Sequence, residues 1–295
     1  MTLTTTVQEW MRAVGSREES VVIARAHVAA ETSTDVDAIC ATIAHDVFFG
    51  VPTRTRAGNE LLPGAVLTTY DEVEGYYSGR AGSYVVTAST QLKTVSTDWY
   101  LFNESAATLR GTGEIGGVDA TGREFVVNSA VIFPTAPDGI RGEICITRYP
   151  FNDIVAGTVQ APPPPTPGRA HLPAGEMDNC ALFERFITAL RVDDAAAVGA
   201  ELSDPHTMAV RIDDFDGHAA VHSGSSKADA VAAFEAMRHG AQDITMLTRI
   251  ASDWYVFCEY LMRLEGGGVR RLALSHSVEN GKLTGTFGYG KEEAG

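Results

Sequence analysis

The stretch STDWYLFNE at residues 96–104 returns as ASDWYVFCE at residues 251–259. The two strings hold two of the three tryptophans in the chain, so a chance match is a poor explanation. Helix-like segments precede each string, and β-rich segments follow it. Because self-similarity of this kind marks a repeated structural unit, the sequence predicts two diverged copies of one domain.

A proline-rich segment separates the two copies. Residues 162–167 contain five prolines, which cannot sustain a helix or a sheet ladder, so an extended, semi-rigid spacer is predicted. The length of 295 residues also fits two ordinary domains better than one. We therefore predict a first copy over residues 1–158, a linker over 159–175 and a second copy over 176–295.

Helical and strand-like patterns alternate in both copies. In the first, Val21, Ala24 and Val28 recur at helical spacing, and Asp35 is a candidate N-cap for a second helix that extends to His45. The segments predicted to follow are a short strand at 46–52, a third helix at 70–79, and strands near 84–95, 99–112, 124–133 and 139–149. The second copy repeats this order, with helices predicted at 177–190, 195–202 and 227–237, and strands near 207–212, 244–250, 254–264, 269–278 and 283–289.

Three helices followed by a long sheet define an α+β class. This order, the junctions Asp46-Val47 and Asp204-Pro205, and the ending at residues 279–283 resemble the nuclear transport factor 2-like superfamily. That superfamily includes the SnoaL-like polyketide cyclases and ketosteroid isomerase. The resemblance implies two tandem cone-shaped domains, in which three helices cover the concave face of a curved antiparallel sheet and enclose an apolar pocket.

The strand predicted at 124–133 has two apolar faces. Phe125 and Val127 lie on one face, and Val126 and Ile132 lie on the other, whereas a strand with one solvated face alternates with polar residues. We therefore expect the two copies to pack their sheets back to back as an intrachain pseudo-dimer. Further assembly into a homo-oligomer stays open.

Charge and composition restrict the possible partners. The formal net charge of −15 disfavours nucleic acid and anionic membranes, and Met1–Ser20 lacks the pattern of a signal peptide. The four cysteines show no zinc-like spacing. We expect a cytoplasmic protein that binds a small apolar organic ligand, with no cofactor and no metal.

The residues that carry catalysis in ketosteroid isomerase-like proteins are missing. The resemblance implies an aspartate just before a proline in the first strand, but Val51 precedes Pro52, and the second copy has Ala209 or Val210 there. Ser129 and Ser275 replace the second acid. In the length of its two tandem copies, this chain also resembles the epoxide hydrolase/cyclases of the same superfamily. The carboxylate pair that this resemblance implies, in the first strand and the third helix, is not found.

Other side chains remain as candidate site residues. Glu104 and Glu259 occupy equivalent places in the two copies, and a carboxylate among aromatic residues would have a raised pKa and act as an acid or a base. A solvent-facing position on a twisted strand is the alternative. His27 lies beside the apolar stripe of the first helix, where it is a candidate base or a satisfied core histidine.

The remaining candidates point to predicted apolar strand faces or strand ends. Asn128 and His276 would either orient a ligand or make core hydrogen bonds. Arg148 and Tyr149 end the last strand of the first copy, where they would stabilise negative charge on a substrate oxygen; pairing of Arg148 with Glu104 is the structural alternative.

The working pocket is predicted in the first copy, lined by His27, Tyr76, Glu104, Asn128 and Arg148. The complete set of predicted site residues is His27, Glu104, Arg148 and Tyr149 as catalytic groups, with Tyr76, Tyr100, Asn128, Glu259 and His276 as substrate contacts. The predicted function is a cofactor-independent lyase, isomerase or cyclase of secondary metabolism that acts by proton transfer. A non-catalytic binding or assembly module and an epoxide hydrolase/cyclase are the alternatives.

Overall fold

A computed structural model describes residues 18–51, 65–115, 118–148, 174–214, 216 and 218–294. The chain divides into two units, Met1–Pro165 (unit one) and Thr166–Gly295 (unit two). The five prolines of the predicted linker and Tyr149 lie outside the described residues.

Three helices form in the described part of each unit. Unit one has α1 over residues 18–31, α2 over Val36–Cys40 and α3 over Tyr70–Ser83. Unit two has α4 over Ala174–Arg191, α5 over Ala195–Glu201 and α6 over Lys227–Arg238. Among the described helices, none has the length and apolar character needed to cross a membrane.

Local side-chain chemistry sets where these helices begin. Asp35 and Asp194 cap α2 and α5, and each accepts a hydrogen bond from the backbone amide three residues further on. Thr69 and Ser226 begin α3 and α6 with capping boxes, in which side chain and backbone bond reciprocally. The matching caps place the helices of the two units in a common register.

Each unit contains one large mixed sheet. The strands of unit one are β1 Phe49–Val51, β2 Ala65–Leu67, β3 Tyr84–Ser96, β4 Tyr100–Gly111, β5 Glu114–Ile115, β6 Val118–Asp119, β7 Glu124–Ala136, β8 Gly139–Ile140 and β9 Ile144–Arg148. The large sheet has the order β2-β1-β9-β7-β4-β3, and β8 also pairs with β7. The β1–β9 pairing is parallel and the other pairings are antiparallel.

Unit two repeats this topology. Its strands are β10 Leu202–Asp213, β11 Ala219–Gly224, β12 Ala241–Ala251, β13 Tyr255–Leu264, β14 Val269–Glu279 and β15 Lys282–Glu293. The order is β11-β10-β15-β14-β13-β12, again with one parallel pairing, β10–β15. The predicted class, α+β with two tandem cone-shaped domains, is confirmed.

The structure differs from the predicted elements at several places. The second helix ends at Cys40 rather than His45, because the chain turns there and Ile43 instead bridges to Ile140. The strand β11 was not predicted, because it is an edge strand whose residues are mostly exposed, and such a strand needs no apolar alternation.

Alternate residues of the strands in unit one face opposite sides of the sheet. Phe125 and Val127 belong to one buried core cluster, and Val131 and Phe133 belong to another that packs under the helices. Ile132, on the other face, is also buried. The back-to-back pairing of the two sheets stays a prediction.

The interiors of the two units are organised differently. In unit two, one continuous apolar cluster runs from the helices across β13 and β14. In unit one, the cluster that contains Phe133 and the cluster that contains Leu109 are separate. In unit one, a space lies between these two parts of the core.

Candidate active site in unit one

A cavity of about 110 Å³ lies in this space, lined by residues of both core clusters. Its walls come from α1, α3, β3, β4, β7 and β9 and from the residue just before β9. On β4 and β7 the lining residues are odd-numbered, in keeping with the two-residue period of a strand. The volume far exceeds the roughly 10–15 Å³ that one water molecule needs, so the cavity has room for a small organic ligand.

The carboxyl group of Glu143 faces this cavity. Glu143 precedes β9 and is 7% exposed, and its Oε2 lies 3.0 Å from the Tyr77 hydroxyl. Burial raises the pKa of Glu143 to about 7, and the neighbouring charge of Glu31 acts in the same direction. At neutral pH Glu143 therefore exists in both its acid and its base forms, as a general acid–base group requires.

Glu31 and Arg80 form an ion pair beside Glu143. Burial acts to raise the pKa of Glu31, but the adjacent Arg80 guanidinium outweighs it and holds that pKa below its usual range. The Arg80 guanidinium also lies 5.4 Å from the ring of Tyr77 and 5.6 Å from the ring of Tyr84, within cation–π distance. Glu31 therefore stays ionised, and Glu143 is the carboxyl that can exchange a proton.

Hydrogen bonds connect Glu143 to His27 through Tyr77. The Thr42 hydroxyl donates to the carbonyl oxygen of Ile39 (2.6 Å), so His27 Nδ1, 2.7 Å from that hydroxyl, has to be the donor. Burial lowers the pKa of His27 and favours the neutral imidazole. Its Nε2 is then an acceptor, 3.1 Å from the Tyr77 hydroxyl.

The Tyr77 hydroxyl has a single proton, and Glu31 is a further acceptor besides Glu143 and His27. Between Glu143 and His27, that proton allows two states. When Tyr77 donates to ionised Glu143, His27 Nε2 needs a proton in order to bond the phenolic oxygen. When Glu143 is protonated, it donates to Tyr77, and Tyr77 donates to neutral His27. Burial raises the pKa of Tyr77 well above its usual value, so Tyr77 stays protonated in both states. Proton exchange at Glu143 is thus linked to the imidazole.

His27, Glu31 and Glu143 are also close enough to bind a metal ion together. One potential ligand atom from each lies within 4.8 Å of those of the other two. Arg80, however, pairs with Glu31, and both nitrogens of His27 have hydrogen-bond partners. A cation would have to displace these contacts, so the residues present fit an acid–base site better than a metal centre.

The structure brings some predicted site residues near the cavity. Tyr76 lines it. His27 is fully buried and reaches the site through Tyr77. Tyr149 lies outside the described residues, so its predicted role stays a prediction.

Four predicted residues lie on the opposite face of the sheet, which corrects the predicted convergence. Glu104 forms an ion pair with Lys93, its cross-strand neighbour (3.4 Å), whereas the residues on either side of Glu104 line the cavity. Tyr100, Asn128 and Arg148 share the even-numbered face of their strands. The strand period therefore separates Glu104, Asn128 and Arg148 from His27.

In unit two the predicted groups also separate. Glu259 Oε1 accepts two hydrogen bonds from Arg271, at 2.7 and 3.2 Å, on the face away from the core. His276 lies in the core, with its nitrogens 3.2 Å from the Tyr260 hydroxyl and 3.0 Å from the Thr286 hydroxyl. Burial lowers the pKa of His276 to about 3. His276 is therefore a neutral, hydrogen-bonded core residue.

The sequence analysis missed Glu31, Tyr77, Arg80 and Glu143. Two spacings carry a signal: His27 and Glu31 are one helical turn apart, and Tyr77 and Arg80 are three residues apart, so each pair shares a helix face. No comparable pattern marks Glu143, which comes directly before its strand.

Solved structures with similarity to this chain each cover less than half of it. No protein-family model matches the chain, and no curated protein matches it. Similar solved structures include an NTF2-like protein from Burkholderia xenovorans LB400, with 14% identity, a TM-score of 0.36 and coverage of 49% of this chain and 98% of that one. Another, from Catenulispora acidiphila DSM 44928, has a ketosteroid isomerase-like fold and was solved in complex with trimethylamine. It has 19% identity and a TM-score of 0.34, and the match covers 46% of this chain and 91% of that one. A third is an NTF2-like protein from Cytophaga hutchinsonii ATCC 33406, with 13% identity, a TM-score of 0.29 and coverage of 42% of this chain and 95% of that one.

Proposed function

We propose that unit one is a cofactor-independent acid–base enzyme of the isomerase or lyase kind, with Glu143 as its proton-transfer group. The supporting observation is that Glu143 lines the cavity, bonds to Tyr77 and has a pKa of about 7. A general acid–base group works best when its pKa lies near the operating pH. Glu143 thus takes the role that Glu104 was predicted to have.

The proposed reaction moves a proton next to a carbonyl group. Ionised Glu143 takes a proton from the carbon beside the carbonyl, and the C–H electron pair forms an enolate. When the substrate has a β,γ carbon–carbon double bond, this enolate is a dienolate, and protonated Glu143 returns the proton to its γ-carbon, which completes an isomerisation without any oxidant or added water. If the substrate carries a leaving group, loss of that group from the enolate makes the same step a lyase reaction.

Two neighbours support the proton transfer. Arg80 lines the cavity and places positive charge near the developing enolate oxygen. His27 lies within hydrogen-bond distance of the Tyr77 hydroxyl, and that hydroxyl in turn bonds Glu143 and fixes the position of its carboxyl group. These are roles of position and charge, and they require no group from outside the chain.

The experiment measures hydrogen–deuterium exchange beside the carbonyl of small ketones in D₂O by NMR, with the full-length protein. Wild-type protein is expected to accelerate exchange for part of the panel, with a dependence on ionisation near pH 7. The change Glu143→Gln keeps the shape, removes the base and is expected to lower the rate by roughly 10²–10⁴-fold. Glu74→Gln, at an exposed position on α3, is the matched control.

Three outcomes oppose the proposal. Loss of exchange in Glu104→Gln, with Glu143→Gln unaffected, would return the catalytic role to Glu104. Absence of exchange for every ketone would favour the alternative of a non-catalytic binding module, and hydrolysis of small epoxides added to the panel would favour an epoxide hydrolase/cyclase. A cytoplasmic location and a role in secondary metabolism stay predictions.

A further inference from the structure

Asn103 lines the cavity and carries a buried side-chain oxygen without a hydrogen-bond partner among the described residues. Asn103 lies on β4, is 9% exposed and lines the cavity, and its Oδ1 has no hydrogen-bond partner among the described residues. A buried polar atom without a partner is destabilising, and the cavity is the space from which a partner can approach. The fold therefore leaves an unpartnered amide oxygen on a residue that lines the ligand space.

Asn103 lies beside a row of hydroxyl groups on the same face of the sheet. Ser105 pairs with Ser129 across β4 and β7, and Ser129 pairs with Thr147 across β7 and β9. All three line the cavity, while Thr147 also contacts Cys145 Sγ at 2.8 Å. A polar stripe of Asn103, Ser105, Ser129 and Thr147 thus crosses three strands of the cone floor.

The fold does not require this stripe. At the matching places of unit two, Cys258 replaces Asn103 and Tyr260 replaces Ser105. Tyr260 pairs with Leu272, as Ser105 pairs with Ser129. The same strands in the same register are therefore stable with a largely apolar floor, so the stripe is a property of unit one rather than of the cone.

We infer that the polar stripe is a subsite for a hydroxyl group, and that the substrate class is a small hydroxy-carbonyl compound. A hydroxyl both donates and accepts, so it can donate to Asn103 Oδ1 and accept from a serine hydroxyl, whichever way the amide is oriented. This inference rests on the proposed function for the carbonyl end, which faces Glu143. It changes the predicted ligand from an apolar compound to one with a polar end.

A matched pair of probes tests the subsite: 4-hydroxybutan-2-one and pentan-2-one, which differ by a hydroxyl in place of a methyl group. Binding of each to the full-length protein is measured by ligand-observed NMR titration. The hydroxyketone is expected to bind at least tenfold more tightly to wild-type protein. Asn103→Cys, which introduces the unit-two residue, is expected to abolish this preference, and Ser105→Ala to reduce it.

The control is Asn128→Ala, which removes an amide from the opposite face of β7 and is expected to keep the preference. Equal affinity for the two probes, or binding of neither, overturns the subsite and leaves only a water-filled niche. The Glu143→Gln variant separates the two proposals, because it removes exchange and should still prefer the hydroxyketone. If wild-type protein prefers the hydroxyketone but does not accelerate hydrogen–deuterium exchange, the subsite is kept and the proposed function is rejected. If it accelerates exchange without that preference, the proposed function is kept and the subsite is rejected.

Discussion

Units one and two have the same cone-shaped fold, but several interior positions that hold polar or charged side chains in unit one hold large, mostly apolar side chains in unit two. The helix caps and the strand register align the residues of the two units. Aligned residues that differ, with the unit-one residue first, are His27 and Phe186, Glu31 and Leu190, Tyr77 and Phe234, Arg80 and Met237, Ser105 and Tyr260, and Ser129 and Leu272. The match is spatial as well, because His27 contacts Tyr77 and Phe133 at ring distances of 6.0 and 5.8 Å. In unit two, Phe186 contacts Phe234 and His276 at 5.0 and 5.4 Å.

This difference separates what the fold requires from what a site requires. Unit two shows that large apolar side chains can occupy the same positions. The buried charges and the cavity of unit one are therefore unnecessary for folding and costly to keep, which is the pattern expected when residues are retained for function. Unit two is consistent with a structural role, and its buried histidines are neutral.

The largest effect is expected when unit one receives a single residue from unit two. Arg80→Met leaves the buried carboxylate of Glu31 without its partner, and the free energy of unfolding should fall by about 3–5 kcal/mol. Denaturant unfolding of the full-length chain measures this. The double change Glu31→Leu and Arg80→Met recreates the apolar pair of unit two, and stability should return to about the wild-type value or above. An unchanged single variant would show that the ion pair does not hold the two helices together.

A second test uses the pH dependence of stability. Because the pKa of Glu143 is raised from 4.5 to about 7, its contribution is fully present below about pH 4.5 and is lost as the pH rises through 7. The stability of wild-type protein relative to Glu143→Gln should therefore fall by about 3 kcal/mol between pH 4.5 and 7. A flat difference would mean that Glu143 has an ordinary pKa.

Unit two should show the opposite slope. Burial lowers the pKa of His276 from 6.5 to about 3, so its contribution is present above pH 6.5 and is lost as the pH falls towards 3. The stability of wild-type protein relative to His276→Phe should therefore rise with pH. The partners that this change leaves unpaired add a pH-independent offset, so only the slope is read. A falling slope would show that His276 is protonated in the folded protein.

A smaller effect is expected from filling the cavity. Ser105→Tyr introduces the unit-two residue and should weaken binding of the hydroxyketone probe at least tenfold. The added ring should cost about 1–3 kcal/mol in stability through overpacking. Thr87→Tyr adds the same ring at an exposed position on β3 and should leave binding unchanged. Retained binding in Ser105→Tyr would place the ligand elsewhere.

The sequence predicted the repeat, the cap of α2 at Asp35 and most of the strands, because these depend on local patterns. The sequence did not show which face of each strand lines the cavity. On β9, Ile144 and Ile146 are fully buried on one face, and Cys145 is buried on the other, so apolar character does not identify the cavity side. Taking the isoleucine face as the inner one placed Arg148 in the pocket and left out Glu143.

The smallest expected effect compares Glu104 with its equivalent, Glu259. Glu104 contacts Lys93, whose side chain is 32% exposed, whereas Glu259 accepts two hydrogen bonds from a more buried Arg271. Exposure to water weakens an ion pair, and charged hydrogen bonds to a guanidinium are stronger. Glu104→Gln should therefore cost about 1 kcal/mol in stability, and Glu259→Gln about 2 kcal/mol. Denaturant unfolding measures both variants, and a larger cost for Glu104→Gln would reverse the expected order. Ketone exchange should be unchanged in both, because both carboxylates lie on the face of the sheet opposite the interior of the cone.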